Sequence, residues 1–99
     1  MLRVFATSSR TVSEHGAWRL SDSVELRPEP FGALAYDFHT RRLSFLKTPR
    51  LVDVVRRLGD AADVGTALTQ AEVPDAERAA YLAALGTLAT GGLIQERTS

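Results

Sequence analysis

The chain reads as an α+β domain with winged-helix-like content, a three-stranded antiparallel meander followed by three helices. Two observations carry that reading. Apolar residues alternate with polar or small ones between Trp18 and Lys47, and from Thr48-Pro49 onward they recur instead at helical spacing between capping residues. No internal repeat interrupts this order. The 99 residues are 44% hydrophobic, enough for one small core and too few for a second domain.

The elements follow in order. Residues 1–17, rich in small polar side chains, are expected to form a flexible N-terminal tail, with the domain spanning 18–95 and a C-terminal tail at 96–99. Trp18 and Leu20, then Val24 and Leu26 beyond a polar break at Ser21 to Ser23, predict the first strand. Arg27-Pro28-Glu29-Pro30 is expected to end it, because proline has no N–H for a ladder and restricts the residue before it. Phe31 to Phe38 predicts a half-buried second strand, with Leu34, Tyr36 and Phe38 on one face and Ala33, Ala35 and Asp37 on the other. A turn at His39-Thr40-Arg41 leads into a third strand, Arg42 to Lys47.

Thr48 is placed to cap a first helix with Pro49 at its first position, where the missing N–H costs little. Leu51, Val54, Val55 and Leu58 give that helix its apolar face, and Gly59 suits a left-handed stop. Asp63 predicts the cap of a short second helix from Val64 to about Ala71. Asp75 is read as the cap of a third, Ala76 to Thr90, whose Ala79, Leu82, Leu85, Leu88 and Ala89 share one face before Gly91-Gly92. Leu93-Ile94 is expected to return to the core as a strand or extended tail.

Composition excludes several function classes. With no cysteine the chain has no thiolate nucleophile, no disulfide framework and no cysteine-held cluster or zinc. No apolar run approaches the roughly 20 residues of a membrane span, and the start is too short for a signal-peptide core, so the expectation is a cytosolic protein that does not enter a membrane. The only imidazoles are His15 and His39, one in the expected tail and one in a turn, neither with a partner at a catalytic or metal-ligand spacing. The glycines form neither a P-loop nor a dinucleotide fingerprint. An enzyme is not expected.

Charge is balanced overall at 12 against 12, but residues 1–50 hold eight basic and five acidic side chains while residues 51–99 hold four and seven. Arg41, Arg42, Lys47 and Arg50 fall in ten consecutive positions with no acidic residue among them. If the third strand is an edge, these charges either select an acidic strand that adds there or keep other strands away. A winged-helix DNA-binding regulator is the alternative reading; it fits poorly, because the third helix starts with Asp75 and Glu77 and offers only Arg78 to a phosphate backbone.

Leu26 to Lys47, LRPEPFGALAYDFHTRRLSFLK, followed by a Leu-Val-Asp-Val-Val helix, resembles the chaperones of mycofactocin biosynthesis, a branch of the PqqD-like group of peptide-recognition domains. The resemblance covers about Trp18 to Gln95. It implies a non-catalytic recognition element without a cofactor, which binds the acid-rich leader of a ribosomally made precursor peptide and presents it to a radical S-adenosylmethionine maturase. In that group the leader adds as a strand to the third strand and rests on the third helix. Carried to this chain, Arg42, Leu43, Ser44, Phe45, Leu46 and Lys47 supply the backbone ladder, with Leu43, Phe45 or Leu46 giving apolar pockets. Arg78, Tyr81, Leu82 and Leu85 supply the helical wall, and Arg41, Arg42, Lys47 and Arg50 meet the acidic leader. The register, and with it the face that each side chain presents, stays open, because a one-residue slip reverses the set.

Overall fold

The computed structural model describes residues 10–97. Five strands and three helices follow in the order β1 (Trp18–Leu20), β2 (Val24–Glu29), β3 (Gly32–Asp37), β4 (Leu43–Leu46), α1 (Pro49–Arg57), α2 (Val64–Gln70), α3 (Arg78–Thr90) and β5 (Ile94–Glu96), with a single 3-10 turn, Asp75–Glu77, leading into α3. Strands β2, β3 and β4 form the expected antiparallel meander with β3 in the centre, and β1 pairs with β5 as a separate two-stranded ribbon.

The predicted first strand is thus two strands in two sheets, and the polar break between them is the crossing point. Ser21 is buried there; its hydroxyl donates to the Gly92 carbonyl at 2.6 Å and its N–H to the Leu93 carbonyl at 2.9 Å. Val24 N–H then closes a turn on the Ser21 carbonyl. The returning Leu93-Ile94 segment completes the ribbon, with Leu20 opposite Ile94.

Pro28 does not end β2, which runs on to Glu29 and turns at Pro30-Phe31. The reason lies in the ladder. Asp37 N–H bonds the Arg42 carbonyl and Phe38 N–H bonds the Ser23 carbonyl, so odd positions of β3 bond toward β4 and even ones toward β2. Pro28 stands opposite Ala33, an odd position, so the missing N–H would have pointed off the sheet in any case. Gly32 is required next to the turn, because a Cβ there would run into the Leu46 carbonyl.

The core face of β3 is the reverse of what bulk suggests. Ala33, Ala35 and Asp37 are buried, whereas Leu34 and Tyr36 are half-buried and Phe38 is exposed. Small side chains at Ala33 and Ala35 let α1 lie close under the sheet, with Val52, Val54, Val55 and Leu58 filling the space beside Leu46.

Both predicted N-caps of the first two helices are formed. Thr48 Oγ1 accepts from Leu51 N–H at 3.1 Å, and Asp63 Oδ1 accepts from Thr66 N–H at 2.8 Å and its hydroxyl at 2.7 Å. Gly59 does not take the left-handed conformation, since α1 ends on Leu58 and the chain continues right-handed. Asp75 caps nothing; it opens the 3-10 turn, and α3 begins only at Arg78 without a side-chain cap. Ala79 is exposed, because the first turn of α3 projects beyond the core that Leu85, Leu88 and Ala89 enter.

Residues 10–17 correct the expected tail where the structure describes it. Val12 is buried, Glu14 and Gly16 carbonyls accept from Gly65 and Val64 N–H, and Arg10 N–H donates to Thr90 Oγ1. This segment therefore straps α2 to α3. At the other end Arg97, assigned to the C-terminal tail, donates to the carbonyls of Gly59, Ala61 and Ala62 at 3.0, 2.7 and 3.0 Å and fastens the segment after β5 to the α1–α2 loop. The remainder of both expected tails, residues 1–9 and 98–99, lies outside the described residues.

Candidate functional site

The candidate site centres on β4, which ends the three-stranded sheet on one side. The preceding turn is fixed by Asp37, whose Oδ1 accepts from the Ser23 hydroxyl at 2.8 Å and from His39 and Thr40 N–H at 2.8 and 3.3 Å. Foremost the Ser23 hydroxyl, and then the two amides, hold the Asp37 carboxyl below its ordinary range, against the desolvation that raises it. Arg41 closes the turn with a left-handed φ of 65°, its N–H on the Asp37 carbonyl. His39 is exposed at the tip, a solvated histidine.

Along β4 the pairing is Leu43 with Tyr36, Ser44 with Ala35, Phe45 with Leu34 and Leu46 with Ala33. Ser44 and Leu46, opposite odd positions of β3, direct their backbone groups into the sheet. Leu43 and Phe45, opposite even positions, direct their N–H and C=O groups off the open edge. These are the groups an incoming strand would bond.

Their side chains are also uncovered, with Leu43 60% and Phe45 59% exposed. The Phe45 ring tilts against Phe31 at 5.9 Å between centroids, and Tyr36 meets Phe38 edge-to-face at 4.9 Å. The sheet therefore carries an apolar outer face in addition to its core face. Of these residues, Phe31, Leu34, Tyr36 and Phe38 were not among the predicted site. Their alternation was visible in the sequence, but their side of β3 was identifiable only once the small residues of the GALA run are known to face α1.

Unpaired cations concentrate near the same edge, with exposed Arg56 on α1 a further cation outside the ion pairs of the described residues. Arg10, Arg19, Arg27, Arg57 and Arg78 each hold a carboxylate partner. Arg41, Arg42, Lys47 and Arg50 are exposed, and among the described residues none of them is in an ion pair.

The expected helical wall divides. Tyr81 lines a groove of about 660 Å³ that opens beside Thr48, Pro49 and Arg50 at the end of β4 and is bounded by Arg57 and Glu72. Leu82 lines a different hollow, of about 330 Å³, against Arg10 and Val12 of the strap. Arg78 is held inside the fold, 3.3 Å from Glu14 and donating to Thr69 Oγ1 at 2.6 Å. Leu85 and Leu46 are core residues, 0% and 1% exposed, so neither side chain reaches a surface; Leu46 belongs to the edge through its backbone alone. The structure thus brings together Arg41, Arg42, Leu43, Ser44, Phe45 and Lys47 along one edge, places Tyr81 in a groove beyond the end of that strand, and sets Arg78, Leu82 and Leu85 apart.

The comparisons with known proteins converge on one family. The sequence model described as the peptide chaperone MftB family matches residues 17–95. A peptide chaperone MftB of Mycolicibacterium smegmatis is 50% identical over 78 residues, covering 79% of this chain and 76% of its own length. Its counterpart from Mycobacterium tuberculosis is 45% identical over 92 residues, covering 93% of this chain and 84% of its own, and that of Mycobacterium ulcerans 56% identical over 72 residues, 73% and 66%. No solved structure shows significant similarity. The matched span takes in the sheet, its basic edge strand and the three helices, and the chain belongs to the peptide chaperone MftB family.

Proposed function

We propose that this protein is a non-catalytic cytosolic chaperone that binds the acid-rich leader of a ribosomal precursor peptide by strand addition to β4 and presents the peptide to a radical S-adenosylmethionine maturase. One observation carries the reading: among the described residues the outward N–H and C=O groups of Leu43 and Phe45 on β4 are unbonded, and the four cations of this edge have no anionic partner. Cations that serve only to repel other strands would do so against a basic strand and invite an acidic one. The family name supports a peptide as the partner. The oxidative chemistry and its cluster belong to the maturase, in keeping with a chain that has no cysteine.

The test is calorimetric titration with an acid-rich leader peptide and a scrambled control at about 0.1 M and about 1 M salt, where the Debye length falls from about 10 Å to about 3 Å. Binding of the leader alone, weakened but not abolished by salt, is the expected result. Affinity that is flat in salt would remove the role of the cations, and absence of binding would remove the reading.

A further inference from the structure

We infer that the outer apolar face of the sheet is a specificity surface, which reads two apolar side chains spaced i, i+2 in the acidic strand that adds to β4. This deepens the proposed function and rests on strand addition.

The geometry follows from the ladder. Residues directly opposite in an antiparallel pair place their side chains on the same face. The two peptide residues that bond Leu43 and Phe45 therefore stand two apart and lie beside those side chains on the outer face, away from α1. The residue between them, opposite Ser44, points to the other face of the sheet, the side on which Ala35 is buried.

The outer face is graded in the sense this requires. On the β2 side it ends in charge, Arg27 and Glu29 paired at 3.4 Å. Its middle row, Leu34 and Tyr36, is half-buried, and its two most exposed apolar groups, Leu43 and Phe45, lie on β4 itself, with Phe38 and Phe31 exposed beyond the two ends of β3. An added strand extends this face and covers the apolar border, with Phe31 behind Phe45 as the floor of one contact.

Charge selects the occupant. A second copy could pair β4 with β4 about a two-fold axis at Ser44, setting Leu43 against the copy's Phe45, but that register also sets Arg41 against the copy's Lys47 at both ends, and like charges directly opposite destabilise a sheet. An acidic strand meets the same cations with opposite sign. The ligand is accordingly an extended peptide with an apolar-any-apolar centre and acidic residues beyond both ends.

Two synthetic probes of equal composition decide the matter: Asp-Glu-Glu-Leu-Ser-Leu-Asp-Glu-Glu, and the same peptide with its centre reordered to Ser-Leu-Leu. Adjacent leucines fall on opposite faces of a strand, so the second probe offers only one to the outer face. Affinity is measured by calorimetry and contact through the amide shifts of Leu43 and Phe45. The expected result is roughly tenfold tighter binding of the first probe, the scale of one lost apolar contact across strands. That difference should vanish in the L43S/F45S variant, whose substituted side chains are exposed and outside the core. Equal affinities with both probes shifting the two amides, or a difference that survives L43S/F45S, overturn the outer-face role and leave strand addition standing. If neither probe shifts those amides, strand addition at β4 is itself overturned.

Discussion

The two edges of the three-stranded sheet have opposite chemistry. On β2 the outward-facing positions are Val24, Leu26 and Pro28; Val24 N–H is already bonded to Ser21, Pro28 has none, and Leu26 alone is left to donate. The neighbouring Arg27 and Glu29 neutralise each other. On β4 both Leu43 and Phe45 offer a donor and an acceptor, no proline intervenes, and the flanking cations are in no ion pair among the described residues. Both edges occur within 23 residues of one chain, so the difference is local chemistry and not exposure. A closed edge on the same sheet shows what the open one lacks.

The largest effect should come from making the open edge resemble the closed one. Phe45→Pro removes an outward N–H and leaves the β3–β4 ladder intact, as Pro28 does on β2. Leader binding is expected to fall on the order of a hundredfold or more, since the variant loses a backbone bond and an apolar contact and gains a ring in the path of the added strand. The melting temperature should drop by only a few degrees, roughly the effect of 1 kcal/mol in a domain of this size. Ser44→Pro is the control, because its N–H points into the sheet; it should unfold the hairpin, and thermal melting separates the two.

Reversing charge while keeping the backbone is the next step down. Arg41→Glu with Arg42→Glu should weaken leader binding roughly tenfold at about 0.1 M salt and flatten the salt dependence, as expected for exposed pairs of modest individual strength. The fold should be unaffected, because both side chains are exposed and neither has an ion-pair partner among the described residues. Unfolding of this variant would show that the cations are structural.

A smaller effect concerns the turn that presents β4. The Asp37 carboxyl is lowered in the folded state, so its contribution to stability is complete above the unfolded carboxylate value of about 3.9 and is lost as pH falls through the lower folded value. Protection of the His39 and Thr40 amides from exchange should decline over that acid range in the native protein. In Asp37→Asn it should be weaker at neutral pH and insensitive to acid there. Protection that is unchanged by the substitution would mean that Arg41 N–H on the Asp37 carbonyl, at 2.7 Å, holds the turn without the carboxylate.

Much of this was legible in the sequence because it is local. Thr48-Pro49 and Asp63 act on residues within one turn, and Leu43 to Leu46 alternates whatever it pairs with. What was not legible depends on distant partners. Whether Ser21 to Ser23 is a bulge or a crossing is decided by Gly92 and Leu93, some seventy residues away. Likewise, Leu46 and Leu85 look like pocket residues by type and spacing, and only the packing of α1 and α3 puts them in the core. The inversion of β3 has the same cause: size suggests that Leu34 and Tyr36 are buried, but the face that goes inside is the one a helix can approach.

The smallest expected effect tests whether an edge becomes a binding site merely by being opened. Pro28→Thr restores an outward N–H to β2 next to the one at Leu26, and so reproduces the spacing of donors on β4. It leaves the Arg27–Glu29 pair and brings no unpaired cation to that edge. Stability should change by about 0.5 kcal/mol or less, because Pro28 is exposed and makes no bond that threonine cannot. Leader affinity should stay the same and the amide of Leu26 should not shift on titration. A second binding event at β2 would mean that free backbone donors suffice to capture the peptide, and that the cations and apolar border of β4 add strength to recognition without directing it.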